Sequence, residues 1–189
     1  MAGRQLTSFE HILLGLVCTS PSSGYDLKRI FAVTPMGVYQ PSSGALYPAL
    51  RRLERSGLVR AQSPNDPAGE SARRRRVYEP TQAGRAVHLS WLRVPAEPAT
   101  VSRDLGLHLM RFVMMEHQFP REEVLQFLQN LADALAAFIA ELERQAAGLD
   151  LGARHPALAL GHGLAVSRAS LHWAEQTITA LSAAPAPFP

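Results

Sequence analysis

Cysteine is nearly absent from this 189-residue chain. Cys18 stands alone, so no disulfide can form within the chain, and a reducing cytoplasm is the expected setting. Lysine is equally scarce: Lys28 is the only one, and arginine carries the rest of the positive charge. No apolar run approaches the roughly 20 residues that a membrane-spanning helix needs. Leu6 to Val17 is interrupted by Thr7, Ser8, Glu10 and His11, which is not the layout of a signal peptide. There is no phosphate-binding glycine loop, no HExxH and no Gly-x-Ser-x-Gly, so an enzyme is not expected. His108, His117, His155, His162 and His172 lack ligand spacing on one helical face, so neither a metal nor another cofactor is expected. No internal repeat occurs.

Hydrophobic residues make up 47% and charged residues 19% of the chain, the composition of a folded globular protein. The charge is divided unevenly. Residues 1–95 hold 13 Lys+Arg against 6 Asp+Glu, a balance of +7, and residues 96–189 hold 6 against 10, a balance of −4, which together give the net +3. A basic front half and an acidic back half suggest that the front meets a polyanion.

Phe9, Ile12, Leu13, Leu16 and Val17 recur at helical spacing and predict a helix over about 8–19, with Ser8 as its N-cap. Pro21, Ser22, Ser23 and Gly24 break it. A second helix is predicted from about Tyr25, burying Leu27, Ile30 and Phe31, and Pro35, Gly37 and Pro41 end it. A third runs from Ser42 or Ser43 to Gly57 on an inner stripe of Leu46, Leu50 and Leu53. Strands follow at Leu58 to Gln62 and Arg75 to Glu79, joined by a polar tip from Ser63 to Glu70. Thr81 caps a fourth helix containing Val87, Leu89 and Trp91. Three helices, a two-stranded hairpin and a further helix are the logic of a winged helix-turn-helix, predicted over 1–95. Pro95 to Pro98 reads as a linker. Beyond it helices are predicted near 102–117, 120–147 and 156–181, making a helical domain over 96–182 with a frayed tail at 183–189. The expected fold class is mainly α.

The third helix has two faces. Gly44, Pro48, Arg51 and Arg55 lie opposite the leucine stripe, with Tyr47 flanking them. A helix in the DNA major groove needs that division: apolar toward the core, small and hydrogen-bonding toward the bases. Pro48 removes one backbone hydrogen bond, so either the helix bends there or it starts near Pro48. Alone, the pattern also suits an ordinary surface helix with two arginines. The run Arg73, Arg74, Arg75, Arg76 shifts the balance. Burying four such charges would be costly, whereas on a hairpin they can straddle a phosphate backbone or enter a minor groove. The plainer alternative is a solvated guard on an edge strand.

The stretches His11 to Leu16, Ser23-Gly24-Tyr25-Asp26-Leu27-Lys28-Arg29-Ile30-Phe31, Ser43 to Val59 and Arg75 to Arg85 resemble the PadR family of bacterial transcriptional regulators. "Gly-Tyr-Asp-Leu" and "Leu-Tyr-Pro-Ala-Leu-Arg-Arg-Leu" are specific for their length. The resemblance covers about residues 6–92. The C-terminal half is similar to the longer subfamily in length and pattern only. A proline within the third helix is typical of that family, which favours the bent helix. The resemblance implies a homodimer reading a palindromic DNA operator, often as a repressor, sometimes released by a small aromatic effector. Position by position it implies that Ser43, Gly44, Tyr47, Pro48 and Arg51 face DNA, that Lys28 sits near phosphate, and that Arg73, Arg74, Arg75 and Arg76 contact backbone or minor groove. Tyr25 is expected to pack helices together. Two departures stand out: a long hairpin tip, Ser63 to Ala72, and Pro80 in place of an apolar residue, which should end its strand.

In the helix after Pro120, Val124, Leu128, Leu131, Leu135, Phe138 and Leu142 follow a heptad-like spacing. Leu164, Leu171 and Ile178 repeat in the last helix. The expected use of these stripes is an interface between two subunits, which would set two third helices about 34 Å apart, one turn of DNA. An intramolecular three-helix bundle is the alternative. Met110, Phe112, Met114, Met115 and Trp173 form a soft aromatic surface; Met110, Met114 and Trp173 are the candidate contacts for an effector, although such a stripe also serves as plain core. The rival to a DNA-binding regulator is a dimeric helical adaptor or ligand-binding protein that does not engage DNA.

Overall fold

The computed structural model describes residues 5–33, 43–62, 76–148 and 154–183. The chain divides into two compact units, Met1–Arg93 and Val94–Pro189. The front unit contains α1 (Ser8–Thr19), β1 (Ser22–Ser23), α2 (Gly24–Val33), α3 (Ser43–Arg55), β2 (Val59–Ala61), β3 (Val77–Pro80) and α4 (Gln82–Leu92). The back unit contains α5 (Leu105–Met115), α6 (Arg121–Gly148) and α7 (Arg154–Ala183). No described helix is long and apolar enough to cross a membrane.

The starts of α1 and α2 are fixed by reciprocal capping. Thr7, not Ser8, caps α1: its Oγ1 accepts from the Glu10 amide at 3.3 Å, and Glu10 accepts from the Thr7 amide at 3.0 Å. Ser23 and Asp26 repeat the device at α2, with the Asp26 amide donating to Ser23 Oγ at 3.2 Å and the Ser23 amide donating to Asp26 at 3.1 Å. Each box satisfies amide donors that the first helical turn leaves unpaired. At the other end of α3, Gly57 adopts φ 69°, a left-handed conformation that glycine enters without steric cost. Its amide donates to the Glu54 carbonyl at 2.9 Å and the Leu58 amide to the Leu53 carbonyl at 3.0 Å, the paired bonds that close a helix and redirect the chain.

The sheet has three antiparallel strands in the order β1-β3-β2, where the sequence suggested two. Ser22 pairs with Tyr78 and Ser23 with Val77, and on the other side Val59, Arg60 and Ala61 pair with Pro80, Glu79 and Tyr78. The serines read as a helix break therefore do double duty, as an edge strand and as the cap of α2. Pro80 does close β3. It cannot donate, and the next amide, Thr81, donates instead to the Leu58 carbonyl at 3.0 Å. The core of this unit gathers Ile12, Leu13, Leu14, Val17, Leu27, Leu46, Leu50, Leu53, Val59 and Leu92, all essentially without solvent contact.

In the back unit α6 packs along α7 and against α5. Part of the stripe expected at a subunit seam is enclosed within this unit. Leu128, Leu131 and Leu135 are at most 1% exposed within a single chain; Leu131 and Leu135 join Val101 and Ala134 in a core to which Phe138, Leu171 and Trp173 add partly buried surface. Those three leucines pack inside the chain, as the intramolecular alternative expects. Leu142, Leu164 and Ile178 are half-buried. The candidate effector residues are likewise packed: Met110 and Met114 are buried, and Trp173 meets Phe112 edge-on at 5.6 Å. Helix α7 starts at Arg154 rather than Pro156, because proline is tolerated in a first turn where its missing donor has no helical partner.

Candidate nucleic-acid interface

Helix α3 divides as its sequence dictates. Leu46, Ala49, Leu50 and Leu53 have no solvent exposure, which fixes the helix's rotation about its own axis. Gly44, Tyr47, Pro48, Arg51 and Arg55 are consequently exposed. The helix runs unbroken from Ser43 through Pro48, so a start near Pro48 is excluded. Ser43 opens the helix, and its side chain lies outside the described residues, as do Arg73, Arg74 and Arg75 and the whole hairpin tip from Ser63. Lys28 is exposed on α2.

The adjacent arginines of α3 have different tasks. Arg52 turns inward and its Nε donates to Glu10 at 2.6 Å, where the carboxylate side chain is 0% exposed. That pair bolts α3 to the capping box of α1. Breaking it would strand a buried charge, the costly outcome for such a pair. Arg51 and Arg55 point outward, and among the described residues neither has an ion-pair partner. Arg76, just before β3, donates to Glu54 of α3 at 2.7 Å and lies over the Tyr78 ring at 5.7 Å from its centre. Pro48, Arg51, Arg52, Glu54, Arg55 and Arg76 line one open groove of about 570 Å³. The structure thus brings together Pro48, Arg51 and Arg76 of the expected contact residues, and adds Arg55, Arg52 and Glu54.

At the sheet, Glu79 is bound by Gln62 and by Arg60. Its carboxyl is held below the usual carboxylate range, first by the Gln62 hydrogen bond and then by Arg60. Tyr47 has a role that sequence reasoning missed. A Cβ on Gly24 would stand 2.5 Å from Tyr47 Cε1, so the exposed ring rests against the first residue of α2. Tyr25, expected to pack helices together, is instead 54% exposed. Neither Glu10–Arg52 nor Glu54–Arg76 was legible as a pair: Thr7-x-x-Glu10 is a visible capping signal, but nothing local says which arginine of α3 or the wing each carboxylate holds.

The groove is cationic, open and bordered by a helix whose rotation is fixed by its core. Such a surface can accept a phosphate backbone along one side while the exposed residues of α3 approach base edges. Two carboxylates hold two of its arginines, leaving Arg51 and Arg55 as the outward charges.

Comparison with known proteins follows the same lines. Residues 13–88 match the profile of the transcriptional regulator PadR-like family. No curated protein sequence matches the chain significantly. Among solved structures, a PadR-like transcriptional regulator from Bacillus cereus is 22% identical, with TM-score 0.38, over 92% of this chain and 98% of that one. Bacillus subtilis PadR in complex with operator DNA is 18% identical, with TM-score 0.43, over 93% and 99%. The same regulator in complex with p-coumaric acid is 17% identical, with TM-score 0.42, again over 93% and 99%. The likeness to the transcriptional regulator PadR-like family thus lies within the front unit, from Leu13 to His88.

Proposed function

We propose that the protein is a repressor that binds a palindromic DNA operator as a homodimer in the cytoplasm. The observation that carries the reading is the outward face of α3, Gly44, Tyr47, Pro48, Arg51 and Arg55, set beside Arg76 in one arginine-lined groove. Gly44, Tyr47, Pro48 and Arg51, with Ser43 ahead of them, would read bases or adjoining phosphates. Arg76 and the preceding Arg73, Arg74 and Arg75 would grip the backbone, and Lys28 would add a phosphate contact. Selection of bound duplexes from a random pool, followed by gel shifts over a salt series, tests this directly. Expected is a palindromic consensus bound with a steep salt dependence. Arg51→Ala should abolish selectivity while leaving a weaker, salt-sensitive binding. Recovery of no consensus would favour the rival reading, an adaptor that does not engage DNA.

The homodimer would form through the back unit. With Leu128, Leu131 and Leu135 enclosed, support comes from α7, where Leu158 is 62% and Val166 45% exposed, with Gly161 and Ala165 as small exposed residues between them and Ala169 one turn beyond. Small side chains let two helices approach closely, and Leu164, Leu171 and Ile178 border the strip. Leu158→Glu with Val166→Glu should turn a sedimenting dimer into monomer and cost the long palindrome its tight binding; an unchanged dimer would place the interface elsewhere. A small aromatic effector, if it acts here, would enter beside Met110, Met114 and Trp173 by displacing packed side chains, and thermal shifts with aromatic acids would show it as a raised melting temperature of the back unit.

A further inference from the structure

We propose that Glu54 is a specificity-determining residue that weakens the protein's grip on non-target DNA by holding Arg76. The inference rests on the DNA-binding reading above and goes beyond it in assigning a task to an acidic residue. Among the described residues, Glu54 is the one carboxylate lining the groove, whose other borders are Pro48, Arg51, Arg52, Arg55 and Arg76. Arg52 is already held by Glu10. Glu54 accepts from Arg76 Nη2 at 2.7 Å, and the two side chains keep 26% and 57% of their surface open to solvent. The pair is therefore formed but not sealed. Exposed pairs of this kind are weak and exchange readily, so a DNA phosphate entering the groove competes with Glu54 for the same guanidinium.

The competition bears unequally on the two kinds of complex. Non-target binding draws almost wholly on phosphate electrostatics, and a carboxylate beside the phosphate path both occupies one arginine and repels the backbone. Target binding adds base contacts from the exposed face of α3, which hold the duplex in one register and offset the cost of exchanging Glu54 for phosphate. Like-charge placement of this sort suppresses wrong partners more than it alters the right one. Glu54 stands on α3 itself, one turn from Arg51 and next to Arg55, so its charge travels with the helix that would read the bases.

The test uses the full-length chain, a duplex that the wild type selects from a random pool, and a scrambled duplex of the same composition. Glu54→Gln should raise affinity for the scrambled duplex about five-fold, the upper range for an exposed pair, and steepen its salt slope by about one phosphate. The ratio of target to scrambled affinity should fall. In an Arg76→Gln background the same change should leave the slope where Arg76→Gln alone puts it. Glu54→Asp, which keeps the charge, should retain the discrimination of the wild type. The inference is overturned if Glu54→Gln leaves slope and ratio unchanged, or if affinity for both duplexes falls together at constant slope, the signature of a residue that only braces the fold. A wild type showing no salt-sensitive binding to any duplex would instead overturn the DNA-binding reading, and this inference with it.

Discussion

Gly84 is where the front unit has least room. It sits in the first turn of α4, and a Cβ there would lie 2.0 Å from the Leu58 carbonyl oxygen, 2.9 Å from the Leu58 carbonyl carbon and 3.3 Å from Leu14 Cδ1. Ordinary contact with a carbonyl oxygen is above about 3 Å, so backbone must move by about 1 Å to admit one methyl. The obstacle cannot rotate away, because it is main chain and already engaged: the Leu58 carbonyl accepts from the Thr81 amide at 3.0 Å and from Thr81 Oγ1 at 3.2 Å. Thr81 Oγ1 in turn accepts from the Gly84 amide at 3.0 Å. Relief of the clash therefore loosens the joint that ties β2 to the start of α4.

Gly84→Ala gains about 1 kcal/mol in helix propensity and loses about 1–3 kcal/mol to overpacking, with about 1 kcal/mol more for each hydrogen bond given up. The expected net loss is about 2–4 kcal/mol. The chain has two tryptophans, Trp91 in the front unit and Trp173 in the back, so Trp173→Phe leaves a fluorescence signal from the front unit alone. Urea unfolding in that background should show the Gly84→Ala midpoint well below its parent. Gly163→Ala is the matched control: the nearest atom to its Cβ is Leu142 Cδ2 at 4.0 Å, and it should stabilise the back unit by about 0.5–1 kcal/mol. A Gly84→Ala protein within about 0.5 kcal/mol of its parent would refute the packing argument.

Acid should weaken both units. Burial pushes His88 down to about 4, with His11 adding to the effect; burial also pushes His108 down to about 4, with Arg111 adding and Asp104 opposing. Each folded value lies below the unfolded one of about 6.5, so the stability is fully present above pH 6.5 and is lost as pH falls toward 4, about 3 kcal/mol per site in all and about 2 by pH 5. Urea midpoints at pH 7 and pH 5 should show this, and His88→Leu should flatten the front unit's dependence while leaving that of the back unit. Gly24→Ala should disturb binding more than folding: the Tyr47 ring can swing where a carbonyl cannot, so stability should stay within about 1 kcal/mol while affinity for the selected duplex drops about ten-fold in gel shifts. Equal affinity would show that the position of Tyr47 is immaterial. Burial raises the Cys18 thiol to about 11 despite Arg85, so iodoacetamide should label it slowly at pH 8 in native protein and rapidly in urea; fast native labelling would contradict that burial.

Where one helix face must meet the core, the sequence was sufficient. Leu46, Leu50 and Leu53 specify the rotation of α3, and that rotation alone exposes Gly44, Tyr47, Pro48, Arg51 and Arg55. Gly57 ends the helix because only a left-handed residue allows the two closing bonds. What failed was information carried by another segment. Ser22 and Ser23 have no alternating apolar pattern; they become a strand because β3 passes beside them. Leu128, Leu131 and Leu135 have the spacing of a helix-packing seam, and that spacing is identical whether the partner is α7 of the same chain or a helix of another copy. Met110 and Met114 carry the same ambiguity between core and ligand surface, and both are buried.

Charge counting gives the net balance of the front half but not its placement, and the geometry shows which arginines the carboxylates take. Its described acidic residues are Glu10, Asp26, Glu54 and Glu79. Glu10 takes Arg52, Glu79 takes Arg60, Glu54 takes Arg76, and Asp26 closes the cap of α2. Three arginines are thus neutralised where they stand, each by a carboxylate that also fixes an element: α1 to α3, β2 to β3, α3 to the base of the wing. Among the described residues, Arg51 and Arg55 keep exposed charge on the outer face of α3, and Lys28, Arg29 and Arg85 are exposed elsewhere on the front unit. Within the groove beside α3, the acidic residues decide which arginines stay open to a polyanion as much as the arginines themselves do.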